Sequence, residues 1–293
     1  MKHPIIAYLM LALLLLSCQK RLDVTIQVTP MNADVIKTIA LRLGVDESDV
    51  KQIGDQSNLL LVNMPAPVDT ASVERLLSHR GEFELWETYR SKEITPLLVD
   101  KNKSGQPHTL TSLLVLRSDD YCILGYASEK DTATVSHLLS ERITADLSDV
   151  RLLWFTHPEE FGGSDPLNDS ATDTISQKHY ALICLRGTKP SMSVLSLEYA
   201  KSEYEQFTGR PIVTIHMNKE DAIRWANLTK KNVGNAIAMV IDHQVYCAPN
   251  VNSEITGGLS SVSGNFTEQE AQEIALLLNS GPLNATVKIV NIK

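Results

Sequence analysis

Hydrophobic and polar positions alternate with two different periods along the first third of the chain. "LDVTIQVTP" has a period of two and predicts a strand, whereas "MNADVIKTIALRLGV" spaces Val35, Ile39 and Leu43 as a helix does. Strand patterns follow in "DVKQIG", "NLLLVNMP" and "EFELWETY", with a helix over 70–79 before the last of them. This order predicts an α+β fold that begins with a ferredoxin-like βαββαβ N-terminal lobe.

The middle of the chain predicts an inserted hairpin and helix. "SLLVLRSDDYCILGYAS" has the pattern of a hairpin that turns at Asp119 and Asp120, "DTATVSHLLSERI" that of a helix, and "RLLWF" that of a strand. The following run "EFGGSDPLNDSATDTISQ" is rich in Gly, Ser, Asp and Thr and has no apolar period. It predicts a long surface loop, which is the best internal boundary of the chain.

The last third predicts a second lobe of antiparallel strands and helices. "HYALICL", "VLSLEYAKSEYEQF" and "IVTIHM" have strand patterns, and "AIAMVI" with "VYCAP" predicts a hairpin turning at 242–244. Asn218 is a helix N-cap, and in the helix that follows we expect Ile223, Trp225 and Ala226 to face the core. Thr267 predicts a capping box for a final helix, and "TVKIVNI" a closing strand.

The N-terminus has the pattern of a secretory signal. A basic start is followed by the apolar run "PIIAYLMLALLLL", which is too short for a membrane span of about 20 residues. Leu15-Leu16-Ser17-Cys18 resembles a lipobox, which implies that Cys18 becomes a lipid-modified first residue. The alternative is a short anchor helix with an incidental cysteine.

Composition narrows the classes of function. The chain has 293 residues, of which 43% are hydrophobic and 21% charged, so it is a folded body and not a disordered one. Its net charge of −8 argues against a nucleic-acid surface or a polybasic membrane patch. Beyond Cys18 the cysteines are Cys122, Cys184 and Cys247, an odd number in apolar stretches, which predicts buried free thiols.

One stretch has the appearance of a phosphate-binding loop. "ITGGLSSVSGNFTEQEAQ" places Gly257, Gly258 and Gly264 before a helix start. The spacing does not match the Walker pattern, and the lysine that reaches the phosphates is absent. Glutamates occupy the first turns of the helix, where they repel an anion. We therefore predict that these glycines serve the backbone geometry of a turn that leads into a capped helix.

Other catalytic patterns are missing from the sequence. The histidines have no metal-binding spacing, and no G-x-S-x-G occurs. The acid pairs Asp119-Asp120 and Glu159-Glu160 are predicted to lie in a turn and in solvent, respectively. The residues thus predict no catalytic, metal or cofactor site and no small-molecule substrate.

The stretch 209–283 resembles the first periplasmic domain of SecD, especially in the fused SecDF form. The resemblance rests on "GRPIVTIHMNKEDAIRWANLTKKNVGNAIAMVIDHQVYCAPNV" and on "EITGGLSSVSGNFTEQEAQEIALLLNSGPL". "RLGVDESDVKQIGDQSNLLLVNMPAPVDTASVERLLSHRGEFELWET" is similar to the first lobe of the same domain. The middle of the chain is similar, more weakly, to the insert of the fused proteins.

This resemblance implies a domain organisation. We expect a signal peptide at 1–17, a ferredoxin-like lobe at 18–90, an insert at 91–160, a linker at 161–178 and a head-type subdomain at 179–293. In the family the glycine-rich strand and its helix are structural parts of the head. SecD continues into membrane helices, whereas this sequence stops at Lys293, so we expect the proton-driven activity of the family to be absent.

The function implied is that of a non-enzymatic periplasmic lipoprotein. Its expected partners are unfolded exported polypeptides and the Sec translocon, and its contact with the membrane is the lipid anchor. Gln19-Lys20-Arg21 is basic, which favours an anchor that faces the periplasm. The alternative is a structural or regulatory envelope module that binds a folded partner through sheet edges. An enzymatic function would need a deep pocket lined by acids or histidines.

Overall fold

The chain forms two compact units. A computed structural model describes residues 21–54, 58–66, 69–98, 110–141, 147–160 and 178–293. One unit combines the chain up to Gly81 with Leu276–Lys293, and the other is Glu82–Ala275. The predicted signal peptide, Cys18 and almost all of the predicted linker lie outside the described residues, so these assignments stay predictions.

Most helices and strands lie where the periodicity indicates, but the helices Ser91–Leu98 and Leu110–Leu113 and the strand Met192–Val194 have no counterpart in the prediction. The helices are α1 (Ala33–Leu43), α2 (Thr70–Ser78), α3 (Ser91–Leu98), α4 (Leu110–Leu113), α5 (Thr132–Ser140), α6 (Lys219–Lys231) and α7 (Glu268–Ser280). The strands are β1 (Arg21–Thr29), β2 (Val50–Gln52), β3 (Leu59–Pro65), β4 (Phe83–Glu87), β5 (Val115–Leu116), β6 (Ile123–Ser128), β7 (Val150–Trp154), β8 (Glu159–Glu160), β9 (Lys178–Arg186), β10 (Met192–Val194), β11 (Leu197–Tyr204), β12 (Pro211–Met217), β13 (Ile237–Ile241), β14 (Gln244–Cys247), β15 (Leu259–Ser263) and β16 (Thr286–Ile292).

The first unit is the predicted ferredoxin-like lobe. Its antiparallel sheet has the order β16-β1-β3-β2. Alternate residues of β1 and β3 are buried with the apolar faces of α1 and α2 in a single core, which contains Val24, Ile26, Val35, Ile39 and Leu60. The α+β class and the ferredoxin-like lobe are confirmed.

The strand that completes this lobe is not the one that the sequence order suggested. "EFELWETY" forms β4, which pairs with β10 and β13 in the second unit. The place beside β1 is taken by β16, with Val28 opposite Val287 and Val24 opposite Ile292. Both segments have a strand pattern, but the periodicity of a segment does not determine which strand it pairs with. The correction is therefore one of pairing and not of secondary structure.

A buried arginine joins distant parts of the first unit. Arg42 in the last turn of α1 is 0% exposed. Its hydrogen-bond acceptors include the carbonyl oxygens of Leu76, His79, Arg80 and Gly281 and the hydroxyl of Ser280. These oxygens lie at the C-terminal ends of α2 and α7, where helix carbonyls lack intrahelical donors and the helix dipole favours a cation.

The second unit contains three antiparallel sheets. Their strand orders are β10-β4-β13-β14, β11-β12-β15 and β5-β6-β9-β7, with β8 also paired to β9. The third sheet joins strands of the predicted insert to β9, which lies beyond the predicted linker. The hairpin predicted at Asp119 and Asp120 is confirmed by the pairing of β5 with β6. The turn predicted at 242–244 is confirmed as well, with φ of 49° at Asp242 and 66° at His243.

Helix α6 presents a different face to the core than the one expected. Its buried residues are Asp221, Trp225 and Thr229, at intervals of four. Trp225 is inward as expected, and its indole nitrogen donates to Ser260 Oγ at 2.9 Å. Ile223 is 66% exposed, so the expectation for this residue is wrong. Two positions along a helix correspond to about 200° of rotation, so Ile223 and Trp225 cannot share a face.

Replacement of Arg42 by methionine should lower the free energy of unfolding by roughly 3 kcal/mol or more, because buried carbonyl oxygens then lose their donor. Arg75→Met is the matched control, since Arg75 lies on the surface of α2 and its side chain is 47% exposed. We expect that control to cost about 0.5 kcal/mol or less. Urea unfolding followed by circular dichroism measures both variants, and equal midpoints would contradict the assignment.

Candidate functional site

The glycine-rich segment is built as a close contact between backbone elements. Gly258 has φ of +68°, and a Cβ atom placed there would lie 2.7 Å from the Cβ of Ala222 in α6. A Cβ atom on Gly264 would lie 2.8 Å from the ring of Phe266. Gly257 has no such neighbour within 4 Å. Positive φ and close approach are the two physical reasons for glycine, so the structural interpretation of this segment is supported.

The helix after this segment is capped as predicted. The Thr267 N–H donates to Glu270 Oε2 at 2.7 Å, and the Glu270 N–H donates to Thr267 Oγ1 at 3.2 Å. Glu270 Oε1 also lies 3.3 Å from His157 Nε2. Burial raises the pKa of Glu270, but the hydrogen bonds from Thr267 and His157 outweigh it and hold that pKa below its ordinary value. A carboxylate that occupies these amide groups competes with any bound anion.

The remaining sequence candidates are not brought together. Cys122, Cys184 and Cys247 are buried and free, as predicted. Burial raises the pKa of the Cys122 thiol to about 11 and that of Cys247 to about 12, so both are protonated and unreactive near neutral pH. Among the described residues, no group of three or more His, Cys, Asp or Glu side chains is placed to hold a metal ion. Glu159 is exposed and begins the short strand β8.

The feature of the second unit that is suited to binding is an exposed sheet edge. Strand β11 has eight residues, and among the strands that the structure describes it pairs with β12 alone. The register runs from Tyr204 opposite Pro211 to Tyr199 opposite His216. An outer strand has one row of amide and carbonyl groups directed away from its sheet, and these groups can pair with another extended chain.

The direction of these groups follows from the ladder. The Glu205 N–H donates to the Arg210 carbonyl at 2.9 Å, just beyond the last paired residues. Hydrogen-bonded and non-hydrogen-bonded pairs alternate in an antiparallel ladder. Glu205 and Arg210 are a hydrogen-bonded pair, so Ser202 and Val213, three positions along the ladder, are a non-hydrogen-bonded pair. The amide and carbonyl of Ser202 therefore point away from β12. The same alternation applies to Tyr204.

One face of this sheet is turned away from its core. Val213, Ile215 and Met217 of β12 are buried, and the residues between them face the other side. That side has three rows, given by the register as Tyr199, His216 and Leu259, then Lys201, Thr214 and Ser261, then Glu203, Ile212 and Ser263. The ring of Tyr199 stacks on that of His216, with centroids 5.2 Å apart. We call these nine residues the open face.

Apolar groups are exposed around this edge. Phe207, in the loop between β11 and β12, is 96% exposed, and Tyr204 and Leu259 are more than half exposed. Single exposed apolar residues are ordinary on protein surfaces. Tyr204 at the end of β11 and Phe207 in the loop after it lie next to main-chain groups that can form hydrogen bonds, a combination that suits an extended polypeptide, whereas Leu259 is on β15 at the other edge of the sheet.

Sequence reasoning did not find this edge. The strand was predicted from "VLSLEYAKSEYEQF", but the pattern does not say which neighbour a strand has on either side. Lys201 and Glu203 two residues apart were the available signal, since charges on alternate positions are typical of outer strands. In the described part of the chain, no helix is long and apolar enough to span a bilayer.

Comparisons with known proteins agree with the resemblance found in the sequence. The family described as "SecDF, P1 head subdomain" matches residues 172–285. SecD of Rhodothermus marinus is 35% identical over 170 residues, which are 57% of this chain and 25% of that protein. SecDF of Thermus thermophilus is 36% identical over 104 residues, which are 36% of this chain and 14% of that protein.

A solved structure of a SecDF, described as a membrane component that enhances protein export, aligns with 92% of this chain and 99% of that one. Its TM-score is 0.47 and its sequence identity 20%. The chain spans about a quarter or less of the length of the SecD and SecDF relatives given above. It is similar to SecD and SecDF proteins and, over residues 172–285, to the SecDF P1 head subdomain, so the resemblance predicted from the sequence is confirmed.

Gly258→Ala should lower the free energy of unfolding by about 1–3 kcal/mol, because the new methyl group combines a positive φ with an overlap on α6. Gly257→Ala is the matched control at the neighbouring position, and we expect a change within about 0.5 kcal/mol. Chemical denaturation of both variants gives the comparison. Two equally stable variants would remove the structural reason for Gly258.

Thr267→Ala should cost roughly 1 kcal/mol through the loss of the helix cap. Thr267→Ser keeps the hydroxyl and should retain most of the stability. Thermal unfolding of the two variants tests the capping box, and a serine variant as unstable as the alanine one would be the contrary result.

Proposed function

We propose that this protein is a lipid-anchored periplasmic accessory of Sec-dependent protein export that binds unfolded polypeptide without enzymatic activity. The observation that carries the proposal is the outer edge of β11 beside the open face. Its relatives are subunits of the protein translocase, which supports export as the setting. The binding mode is the addition of a strand to β11.

Strand addition suits a ligand of varied sequence. Main-chain amide and carbonyl groups are common to all polypeptides, so a row of them on β11 supplies affinity without selecting side chains. Ser202 and Tyr204 direct their main-chain groups away from β12, and these groups can form hydrogen bonds with an extended segment. Tyr199 and Tyr204, on opposite faces of β11, then provide apolar contacts for side chains on the two faces of the added strand.

The charges on β11 limit self-association. Lys201 Nζ lies 2.9 Å from Glu203 Oε1, and Glu203 Oε2 accepts a hydrogen bond from Thr214 Oγ1 at 2.9 Å. The contact with Glu203 raises the pKa of Lys201, and that with Lys201 lowers the pKa of Glu203, so both stay charged at neutral pH. Charged side chains on an outer strand disfavour pairing between identical copies.

The lipid anchor follows from Leu15-Leu16-Ser17-Cys18. Lipidation of Cys18 would hold the two units at a membrane surface on the side where exported chains emerge. Mass spectrometry of the N-terminal peptide from native membranes tests this part of the proposal. An unmodified Cys18, or a chain that still begins at Met1, would refute the anchor and leave the binding mode open to its own test.

Ser202→Pro should weaken binding of an unfolded polypeptide at least about tenfold, because proline removes an outward amide that an added strand needs. The amide of Ser202 is not part of the β11–β12 ladder, so the fold should persist. Ser202→Ala keeps the amide and is the matched control. Fluorescence titration with a labelled unfolded secretory polypeptide gives both affinities, with circular dichroism to verify folding.

Equal affinities of the two Ser202 variants would argue against strand addition. The alternative function, binding of a folded envelope partner through the same edge, is separated by affinity purification from intact envelopes. A stoichiometric folded partner lost in Ser202→Pro would favour the alternative. A broad set of export substrates favours polypeptide binding.

A further inference from the structure

A cleft in the second unit is lined by several positively charged side chains, although the protein as a whole is acidic. It has a volume of about 440 Å³ and lies where the ends of β4, β9 and α6 meet the start of α3. The described residues that line it include the cations Arg90, Lys92, Arg186 and Lys231 and the carboxylates Glu87 and Glu93. The chain as a whole has a net charge of −8, so this excess of cations is local.

Two of these cations are held in place by uncharged groups. Arg90 donates from Nε and Nη2 to Asn235 Oδ1, at 3.1 and 2.9 Å, and from Nη2 to the Gly234 carbonyl at 3.3 Å. The guanidinium of Arg186 lies 3.8 Å from the centroid of the Tyr89 ring. These neutral partners fix the direction of each guanidinium group, and each group also contacts one carboxylate, Asp120 at 3.0 Å from Arg90 and Glu93 at 3.5 Å from Arg186.

The two carboxylates of the lining each contact a cation: Glu87 contacts Lys231, and Glu93 contacts Arg186. Lys231 Nζ lies 3.0 Å from Glu87 Oε1. Burial raises the pKa of Glu87, but hydrogen bonds from Lys231 and Asn232 outweigh it, so its pKa lies below the ordinary value and the pair is charged on both sides. Glu93 Oε1 is 3.5 Å from Arg186 Nη2, a longer contact at the rim.

The carboxylate of Asp120 shows where an anionic oxygen can contact Arg90 and Lys92 together. Its Oδ1 lies 3.0 Å from Arg90 Nη1 and also contacts Lys92 Nζ. The side chain of Asp120 is 66% exposed, so water surrounds most of it and a ligand from solution can displace it. Arg90 precedes α3 and Lys92 lies in its first turn, and both side chains contact this one oxygen.

We propose that this cleft binds a small phosphate-bearing ligand, with Arg90 and Lys92 on the phosphate and Arg186 beside it. An anionic phosphate group matches two converging cations, and its tetrahedral oxygens accept from an arginine fork and a lysine ammonium together. The volume exceeds that of a single ion and is within the range of small-molecule sites, about 300–1,000 Å³. The ligand is either a soluble phosphate ester or a phospholipid headgroup.

This site is separate from the edge of β11, so it does not depend on the proposed binding of polypeptides. The first experiment is calorimetric titration of the purified full-length chain, in detergent and at constant ionic strength, with pyrophosphate. We expect saturable binding. Lys92→Gln should weaken it roughly tenfold, the loss of about one charged hydrogen bond. Lys201→Gln, a lysine on the open face, should leave it unchanged.

Asp120→Asn provides a test that partial unfolding cannot imitate. Removal of the competing carboxylate should tighten pyrophosphate binding several-fold, whereas a damaged site would bind more weakly. Absence of binding, equal affinity in Lys92→Gln, or weaker binding in Asp120→Asn each overturns the proposal.

Vesicles separate the two sources of the phosphate. Cosedimentation compares phosphatidylglycerol vesicles with phosphatidylcholine vesicles, each in the presence and absence of the Lys92→Gln change. Vesicle binding that depends on Lys92 and is displaced by pyrophosphate assigns the site to a headgroup. Pyrophosphate binding without Lys92-dependent vesicle binding assigns it to a soluble phosphate ester.

Discussion

The first unit depends on one buried cation. Arg42 sits at the end of α1 and donates to main-chain oxygens at the ends of α2 and α7, including those of Leu76 and Gly281 at 2.8 and 3.1 Å. Helix C-termini carry partial negative charge and unsatisfied carbonyls, so a guanidinium with its five donors can serve two of them at once. The chain just after α7 is thereby fixed: Leu283 is buried, and its amide donates to the Arg80 carbonyl at 2.7 Å. From there β16 enters the sheet beside β1, so the closing strand of the lobe is placed through the arginine.

This arrangement gives a physical meaning to two segments on which the resemblance to SecD rests. "RLGV" begins with Arg42, and "NSGPL" contains Ser280, Gly281 and Leu283. They are far apart in the chain, and the structure joins them by the hydrogen bonds of Arg42. Substitution of Arg42 removes the donor, and substitution of Ser280 removes a hydroxyl acceptor, from the same buried cluster. The two segments together form one buried hydrogen-bonded cluster, and neither is part of the binding sites proposed above.

The candidate sites of the second unit follow from what its sheets leave exposed. Strand β11 offers main-chain groups because, in the described part of the chain, its sheet ends there. The cleft beside α3 offers positive charge because its described lining has four cations and two carboxylates, and Asn235 and the Tyr89 ring orient its arginines. The glycine-rich segment contributes to neither site. The Thr267 amide is used by the helix cap, Gly258 is required by the contact with α6, and Gly264 by the close approach of Phe266. The proposed binding sites are therefore a sheet edge and a cleft, and the glycine-rich segment is neither of them.

The sequence by itself determined most helices and strands, the α+β class, the capped helix, the buried thiols and the resemblance to SecD, because each depends on local periodicity or on ordered motifs. Only the tertiary structure decided that β16 and not β4 completes the first sheet, that Ile223 is exposed, and that β11 is an outer strand among those that the structure describes. Partner choice between strands depends on contacts over more than 200 residues of chain, which local patterns do not contain. The cleft was invisible for the same reason. Arg90, Lys92, Arg186 and Lys231 are scattered along the sequence, where each has the pattern of a solvated surface charge, and only the fold brings them to one place.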